Sequence, residues 1–336
     1  LGRLGDGRHS GALPRNRSYP PYPVRVVITR YDLSRTELAD LLEGEPNYRV
    51  DQVWEGLHSQ HRDPADLTNI PKKLRSAIES LLPAALTPLR EVSADNGTTI
   101  KNLWQLSDGH LIESVLMHYR DRSTVCVSSQ AGCAMACSFC ATGQVGFDRH
   151  LTTGEIVEQV IRASQHSVDK RVSNVVFMGM GEPLANFDNV WSAIERINTD
   201  IGIGARKITV STVGIIPGIE RLAQQKLPVS LAVSLHSAND KTRNHLAPIN
   251  RTYPLRKLAE CLQNYKRARN RRISFEWAMM SEVNDTDEAA RELAAFARPL
   301  NAHVNLIPLN PTPGYATSPS GPEAIVHFRD LLDSFG

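Results

Sequence analysis

The sequence predicts an α/β protein: six βα units forming a partial, open barrel or a doubly wound sheet, preceded by a small all-helical unit and a β-hairpin. Three observations carry this reading. β-branched apolar runs recur between residues 124 and 310, and each is followed by an amphipathic stretch at helical spacing. Apolar runs alternating with such helices are the pattern of parallel strands buried on both faces. The 336 residues are 41 % apolar, which supports an extensive core and, at roughly 100–200 residues per domain, two domains or one barrel with an appendage. A closed eight-stranded barrel takes ~250 residues, more than remain after residue 124.

Taken in order, residues 1–23 carry Arg, Gly and Pro without an apolar segment, so they read as a flexible tail and not as a secretory signal. Residues 24–95 are assigned to a helical domain. SRTELADLLEG opens at Ser34 with Glu37 three residues later, a capping box, and VDQVWEGLHSQ follows. IPKKLRSAIESLL then places Pro71 at a first helical turn. Residues 96–123 form a hairpin extension: 100–106 and 111–119 alternate on either side of Ser107-Asp108-Gly109. The core, 124–336, has strands at 124–130, 174–180, 207–213, 229–236, 273–280 and 303–310. Its helices fall at 152–166, 187–198, 217–225, 254–268, 286–298 and 322–334.

Charge narrows the function classes. With 38 Lys+Arg against 36 Asp+Glu, the net +2 creates no global field, so any nucleic-acid contact must be a local patch. No run of about 18 apolar residues is present, so no transmembrane helix is predicted. The chain starts at Leu1 and its first Met is Met117, which reads as an incomplete reading frame. Of five Cys, four lie between Cys126 and Cys140. A cluster of that kind points to a reducing cytoplasm and a metal or redox site, not a disulfide framework.

Cys133, Cys137 and Cys140 have the spacing C-x3-C-x2-C. Three thiolates on one short loop can hold three irons of a four-iron cluster and leave the fourth open to a substrate. The alternative is a structural zinc site with Cys126 or His150 as fourth ligand, although zinc sites usually show a second, distant ligand pair. Polar and glycine residues gather at the carboxyl ends of the predicted strands, where α/β barrels carry their reactive groups. They are Gly179, Gly181 and Glu182, then Ser211, then Ser234-Leu235-His236, then Asn310. The glycines permit close approach of a ligand, and Glu182 can accept from an ammonium group. Ser211 and Asn310 suit a carboxylate or ribose, though a lone Ser or Asn there is more often a helix cap.

The stretches VCVSSQAGCAMACSFCATGQVGF, FMGMGEPLAN, TVSTVG, SLHSAND and NLIPLNPTPG, with YRVDQVWEGL and LTNIPKKLR nearer the start, span almost the whole chain. Together they resemble the radical S-adenosylmethionine (SAM) RNA methyltransferases of the RlmN/Cfr family. The proline of GEPLAN and the IPLNP segment lie closer to the adenine-C2 branch, RlmN, than to the adenine-C8 branch. The resemblance implies a partial (β/α)6 barrel of radical SAM type with a [4Fe–4S] cluster on Cys133, Cys137 and Cys140. It implies SAM contacts at Gly181, Glu182, Ser211, Ser234, Leu235, His236 and Asn310. Glu113 matches the proton acceptor, and Cys126 the resolving cysteine that ends the cycle in a disulfide. Without the resemblance, Glu113 is a solvent-facing strand residue and Cys126 a small buried hydrophobe.

The implied substrates are an adenosine of 23S rRNA and one in the tRNA anticodon loop. The implied reductant is a protein such as flavodoxin or ferredoxin, and the implied state is a cytoplasmic monomer. The family's methyl-carrying cysteine follows the last helix, and the chain as given stops before it, so it is expected to cleave SAM without methylating by that route. Cys261 is no substitute, since it sits beside the stripe Leu255, Leu258, Leu262. The two other readings are C8 methylation and a zinc-stabilised, non-catalytic RNA-binding protein. For RNA contact the helical domain offers Lys72, Lys73 and Arg75, and the Cys region offers Arg149-His150. The basic run from Lys266 to Arg272 falls on the opposite, amino-terminal face of the barrel and reads as a solvated helix end.

Overall fold

The computed structural model describes residues 27–167 and 170–336, so the tail at 1–23 lies outside the described residues. The helical unit comprises α1 (Arg35–Leu41), α2 (Asn47–His58) and α3 (Lys72–Leu81). Its capping box is present: Ser34 accepts from the Glu37 amide, and the Glu37 carboxylate accepts from the Ser34 amide. Leu38, Val53, Leu57, Leu67 and Ile78 form its core.

The antiparallel strands follow: β1 (Thr87–Ala94), β2 (Thr99–Gln105), β3 (Leu111–His118) and β4 (Ser123–Cys126). A small two-stranded sheet, β5 (Gln130–Gly132) with β6 (Phe147–His150), encloses the Cys loop and α4 (Ala141–Val145). The winding then runs α5 (Thr153–His166), β7 (Val172–Phe177), α6 (Phe187–Thr199), β8 (Ile208–Thr212), α7 (Ile216–Ala223) and β9 (Ser230–Ser234). It finishes with α8 (Asp240–Leu246), α9 (Leu255–Arg269), β10 (Ser274–Met279), α10 (Asp287–Ala297), β11 (His303–Pro308) and α11 (Pro322–Ser334).

Nine strands form one sheet in the order β1-β2-β3-β4-β7-β8-β9-β10-β11, antiparallel as far as β4 and parallel from there on. A doubly wound sheet reverses its strand order at a switch point. Here the six parallel strands follow one another without reversal, which decides for the partial barrel. Alternation sorts the two faces. Phe275 packs on Phe296 of α10 and Trp277 on Phe328 of α11, while Ala278, on the alternate face, lines the lumen.

Three predicted elements need correction. Residues 87–94, assigned to the helical domain, are strand β1; every one of them is exposed, so an edge strand left no buried stripe to read. The strand expected over 124–130 stops at Cys126, and Gln130 already belongs to β5. Helix α8 was not foreseen; it is seven residues long and capped by Asn239.

Candidate active site

A cleft of about 390 Å³ opens at the carboxyl ends of the parallel strands. Glu113, Cys126, Cys140, Gly179 and Asn310 all line it, so residues from five separate stretches of sequence meet there. Glu113 comes from β3, and its carboxylate lies 3.0 Å from Lys101 Nζ on β2. Cys126 ends β4, where the Met178 amide contacts its thiol and burial pushes the thiol up to about 11.

The Cys loop is held at its base and along its length. The Cys133 amide donates to Gly146 O at 2.6 Å, and Gly132 has φ +74°. A Cβ on Gly132 would lie 2.1 Å from Gly146 O, so only glycine fits there. The Ser138 amide donates to Leu246 O at 3.0 Å, and Phe139 packs edge-on against His236 at 4.6 Å. Burial pushes the Cys137 thiol up to about 12, helped by Cys140, Cys133 and Glu182. Cys133 is raised too, by burial first and then by Glu182 and Cys140. Three sheltered thiols within electrostatic range of one another suit a multinuclear cation, because a coordinating metal deprotonates a thiol outright. Of the two fourth ligands the zinc alternative offers, the Cys126 thiol accepts from the Met178 amide and His150 Nδ1 bonds Gln130 Nε2 at 3.0 Å. Among the described residues, no group of three His, Cys, Asp or Glu is gathered around a single-ion position.

At the strand ends, Glu182 is buried and accepts from the amides of Val213 (2.8 Å) and Leu184 (3.1 Å). Its own amide donates to Gln130 Oε1 at 2.8 Å, and burial raises its carboxyl to about 7. These bonds use part of its accepting capacity, since an ionised carboxylate offers about four acceptor sites. Gly179 and Gly181 also have a structural reason. A Cβ at Gly179 would lie 2.8 Å from Val127 C, and one at Gly181 2.5 Å from Gln130 Cβ. On their Cβ sides both glycines leave room for the 127–130 segment.

Ser211 Oγ and Ser234 Oγ lie 3.3 Å apart across adjacent strands. Leu235 is fully buried, and its amide donates to Glu276 O. His236 takes a left-handed conformation with φ +57°. Its Nδ1 accepts from the Ala278 amide at 3.0 Å, which leaves the ring proton on Nε2. Burial, and then the Arg243 charge, lower His236 to about 3. Asn310 stands exposed on the cleft rim.

The RNA-contact expectations divide. Arg149 is not available: both its terminal nitrogens donate to Glu155 at 2.8 Å, and Nε pairs with Asp108 in the hairpin turn. Lys72 and Lys73 are exposed on the first turn of α3, whereas Arg75 donates to Ala65 O at 2.8 Å. In the basic run, Arg269 caps Gln225 O and Leu227 O, Arg271 reaches Ser230 Oγ, and Arg272 bonds His303.

Sequence reasoning missed three positions. Ser128 Oγ donates to Glu113 O at 2.6 Å and accepts from the Met180 amide at 2.9 Å, tying the β3 strand to the 178–182 loop. Asn284 bonds both His236 O and Ala278 O. Arg243 is treated below. Their residue types are ordinary at turns and helix surfaces, so no sequence signal marked them.

Known proteins agree with this geometry. Residues 127–294 match the family model of the Radical SAM superfamily. The chain is 45 % identical to a probable dual-specificity RNA methyltransferase RlmN of Chloroflexus aurantiacus, over 91 % of this chain and 86 % of that protein. It is also 45 % identical to dual-specificity RNA methyltransferase RlmN 1 of Myxococcus xanthus, over 91 % and 87 %. The crystal structure of a radical SAM methyltransferase from Sphaerobacter thermophilus superposes with a TM-score of 0.89 at 44 % identity, covering 92 % of this chain and 93 % of that one. No helix among the described residues is long and apolar enough to cross a membrane. The chain therefore belongs to the RlmN family of radical SAM RNA methyltransferases, enzymes that work with a [4Fe–4S] cluster and SAM.

Proposed function

We propose that the enzyme to which this chain belongs methylates C2 of a specific adenosine in 23S rRNA and in the tRNA anticodon loop, by way of a methylated cysteine that is not among the 336 residues given. The observation that carries the reading is the shared cleft of Glu113, Cys126, Cys140 and Asn310. A carboxylate, a second thiol and an iron-ligating loop around one space are what carbon–carbon bond formation on a purine needs. C2 of adenine is electron-poor and its C–H is barely acidic, so a sulfonium methyl cannot be transferred to it directly.

In this reading Cys133, Cys137 and Cys140 hold the cluster, which when bound supplies the electron that cleaves SAM to a carbon radical. The protein's own part is placement. The Gly181-Glu182 backbone, the Ser211 and Ser234 hydroxyls, Leu235, His236 Nε2–H and Asn310 orient SAM. Glu113, aligned by Lys101, takes the C2 proton. The Cys126 thiol, giving up its proton, would attack the thioether sulfur of the methyl-bearing cysteine; the S–S bond forms as the carbon–sulfur bond breaks, and that bond's electron pair stays on the product carbon, which takes up a proton to become the methyl group. The target base must be splayed out of its RNA to reach the cleft, and Lys72 and Lys73 on α3 supply phosphate contacts. A cytoplasmic monomer reduced by a flavodoxin or ferredoxin completes the picture.

The test is anaerobic preparation with iron and sulfide counted, then SAM cleavage under a strong reductant, then nucleoside mass spectrometry of exposed RNA. Iron with sulfide and 5′-deoxyadenosine are expected from the chain as given, and 2-methyladenosine once the chain also carries the methyl-bearing cysteine. 8-Methyladenosine would reassign the chain to the sister activity, and zinc without sulfide would refute the radical reading.

A further inference from the structure

Arg243 on α8 is fully buried, and its hydrogen bonds all end on neutral oxygens. Nε donates to Leu235 O (3.1 Å), Nη1 to Asn250 Oδ1 (2.8 Å), and Nη2 to Val213 O (2.6 Å) and Ser234 O (3.4 Å). The neighbouring carboxylate, Asp240, accepts instead from Asn250 Nδ2 (2.8 Å) and the Leu255 amide (3.0 Å). An interior cation without a bonded carboxylate is costly to bury, so its retention asks for a reason.

Two features of its place give one. Val213, Ser234 and Leu235 are the carboxyl ends of β8 and β9, where SAM contacts are proposed. Val213 is gripped from both sides, its amide by Glu182 and its carbonyl by Arg243. The second feature is the Cys loop. Ser138 bonds Leu246 O, one turn beyond Arg243 on α8, and Phe139 packs on His236 next to Leu235.

We propose that Arg243 is a positioning residue for the SAM site. Its fork fixes the ends of β8 and β9, and its helix carries the Leu246 carbonyl that seats the Cys loop. The proposal rests on reading Cys133, Cys137 and Cys140 as the iron–sulfur loop. A lysine keeps the charge but not the planar fork that reaches three carbonyls at once, and a glutamine keeps neither.

The experiment compares the loaded parent with Arg243→Lys and Arg243→Gln by SAM affinity, cluster midpoint potential and melting temperature. R243K is expected to bind SAM about tenfold more weakly at the parental potential. R243Q is expected to bind weakly and to shift the potential downward, because the reduced, more anionic cluster loses a cation carried by the helix that seats its loop. Parental affinity in R243K, or a parental potential in R243Q, overturns the proposal. Should R243Q fail to load iron, R243K decides alone: weakened SAM binding at parental potential and melting temperature sustains the proposal, and parental binding overturns it. A parent without iron and sulfide refutes the cysteine-loop reading itself, an outcome distinct from a loaded parent whose R243K variant is unaffected.

Discussion

Replacing Gly181 by alanine separates backbone strain from steric exclusion at the centre of the site. Gly181 has φ +98°, a conformation costing a residue with a Cβ about 1–3 kcal/mol. The added Cβ would also lie 2.5 Å from Gln130 Cβ and 2.7 Å from Gln130 N. A backbone nitrogen cannot rotate away, so the 178–182 loop must part from 128–130. Four hydrogen bonds cross that seam: Ser129 N to Met180 O (2.8 Å), Gln130 N to Met180 O (3.2 Å), Met180 N to Ser128 Oγ (2.9 Å) and Glu182 N to Gln130 Oε1 (2.8 Å). At ~1 kcal/mol each, weakening most of them adds about 2–4 kcal/mol. The total, roughly 3–7 kcal/mol, is a large part of the ~5–15 kcal/mol of a whole domain. Gly214→Ala is the control: φ is +112°, but the nearest atom, Leu258 Cδ1, is an ordinary 3.4 Å away. Urea unfolding of both variants at matched slope gives the comparison. If G181A costs no more than G214A, close approach is not what requires glycine at 181.

The other predictions concern charge. For Asp108, burial raises the carboxyl, but the hydrogen bonds from Arg149 and His110 outweigh it and hold the group at about 2. Asp108→Asn should cost ~1–2 kcal/mol after solvent screening. That loss should be full above pH 4 and fade as the parent's own carboxylate protonates towards pH 2; a constant difference down to pH 2 would refute the clamp. His236 is held at about 3 against an ordinary 6.5, so its contribution is complete above pH 6.5 and is lost as the unfolded chain takes up a proton. His236→Asn tolerates the positive φ and keeps an acceptor for the Ala278 amide. Parent stability relative to H236N should then fall by ~1.4 kcal/mol per pH unit below 6.5, read from denaturation midpoints; parallel pH curves would count against it. Glu113→Gln should leave 5′-deoxyadenosine formation intact and lower methylated adenosine ~10²–10⁴-fold. A product yield equal to the parent's would remove Glu113 from the proton-acceptor role.

Periodicity made much of the fold legible. Each of the six apolar runs contains one parallel strand, and Ile156, Val157, Val160 and Ile161 of α5 are all buried as their spacing requires. The Ser107-Asp108-Gly109 turn closes the hairpin with Gly109 at φ +88°. What escaped were elements whose reasons lie off the local chain. β1 exposes both faces, so nothing in its own residues distinguishes it from a loop until β2 pairs with it. The runs at 124–130 and 174–180 look continuous, yet both break where Ser128 and Met180 bond each other instead of a neighbouring strand.

The site was legible by position and opaque by partnership, and the difference separates scaffold from ligand contacts. Buried polar groups must be hydrogen-bonded, so an atom already satisfied by the protein has little left for a ligand. Both Glu182 carboxyl oxygens, all three Arg243 nitrogens and Asn284 are engaged in this way. Glycines 179 and 181 are filled against by backbone. Other groups keep capacity. Ser211 and Ser234 share one contact between two hydroxyls, so one O–H remains to donate. His236 uses Nδ1 and retains Nε2–H, and Asn310 stands on the open rim. Motif spacing picks out both classes alike, because a loop that must be rigid and a loop that must bind are built from the same small and polar residues. The donor-by-acceptor assignment separates side chains the protein already engages, Glu182 and Arg243, from those that keep hydrogen-bonding capacity, Ser211, Ser234, His236 and Asn310.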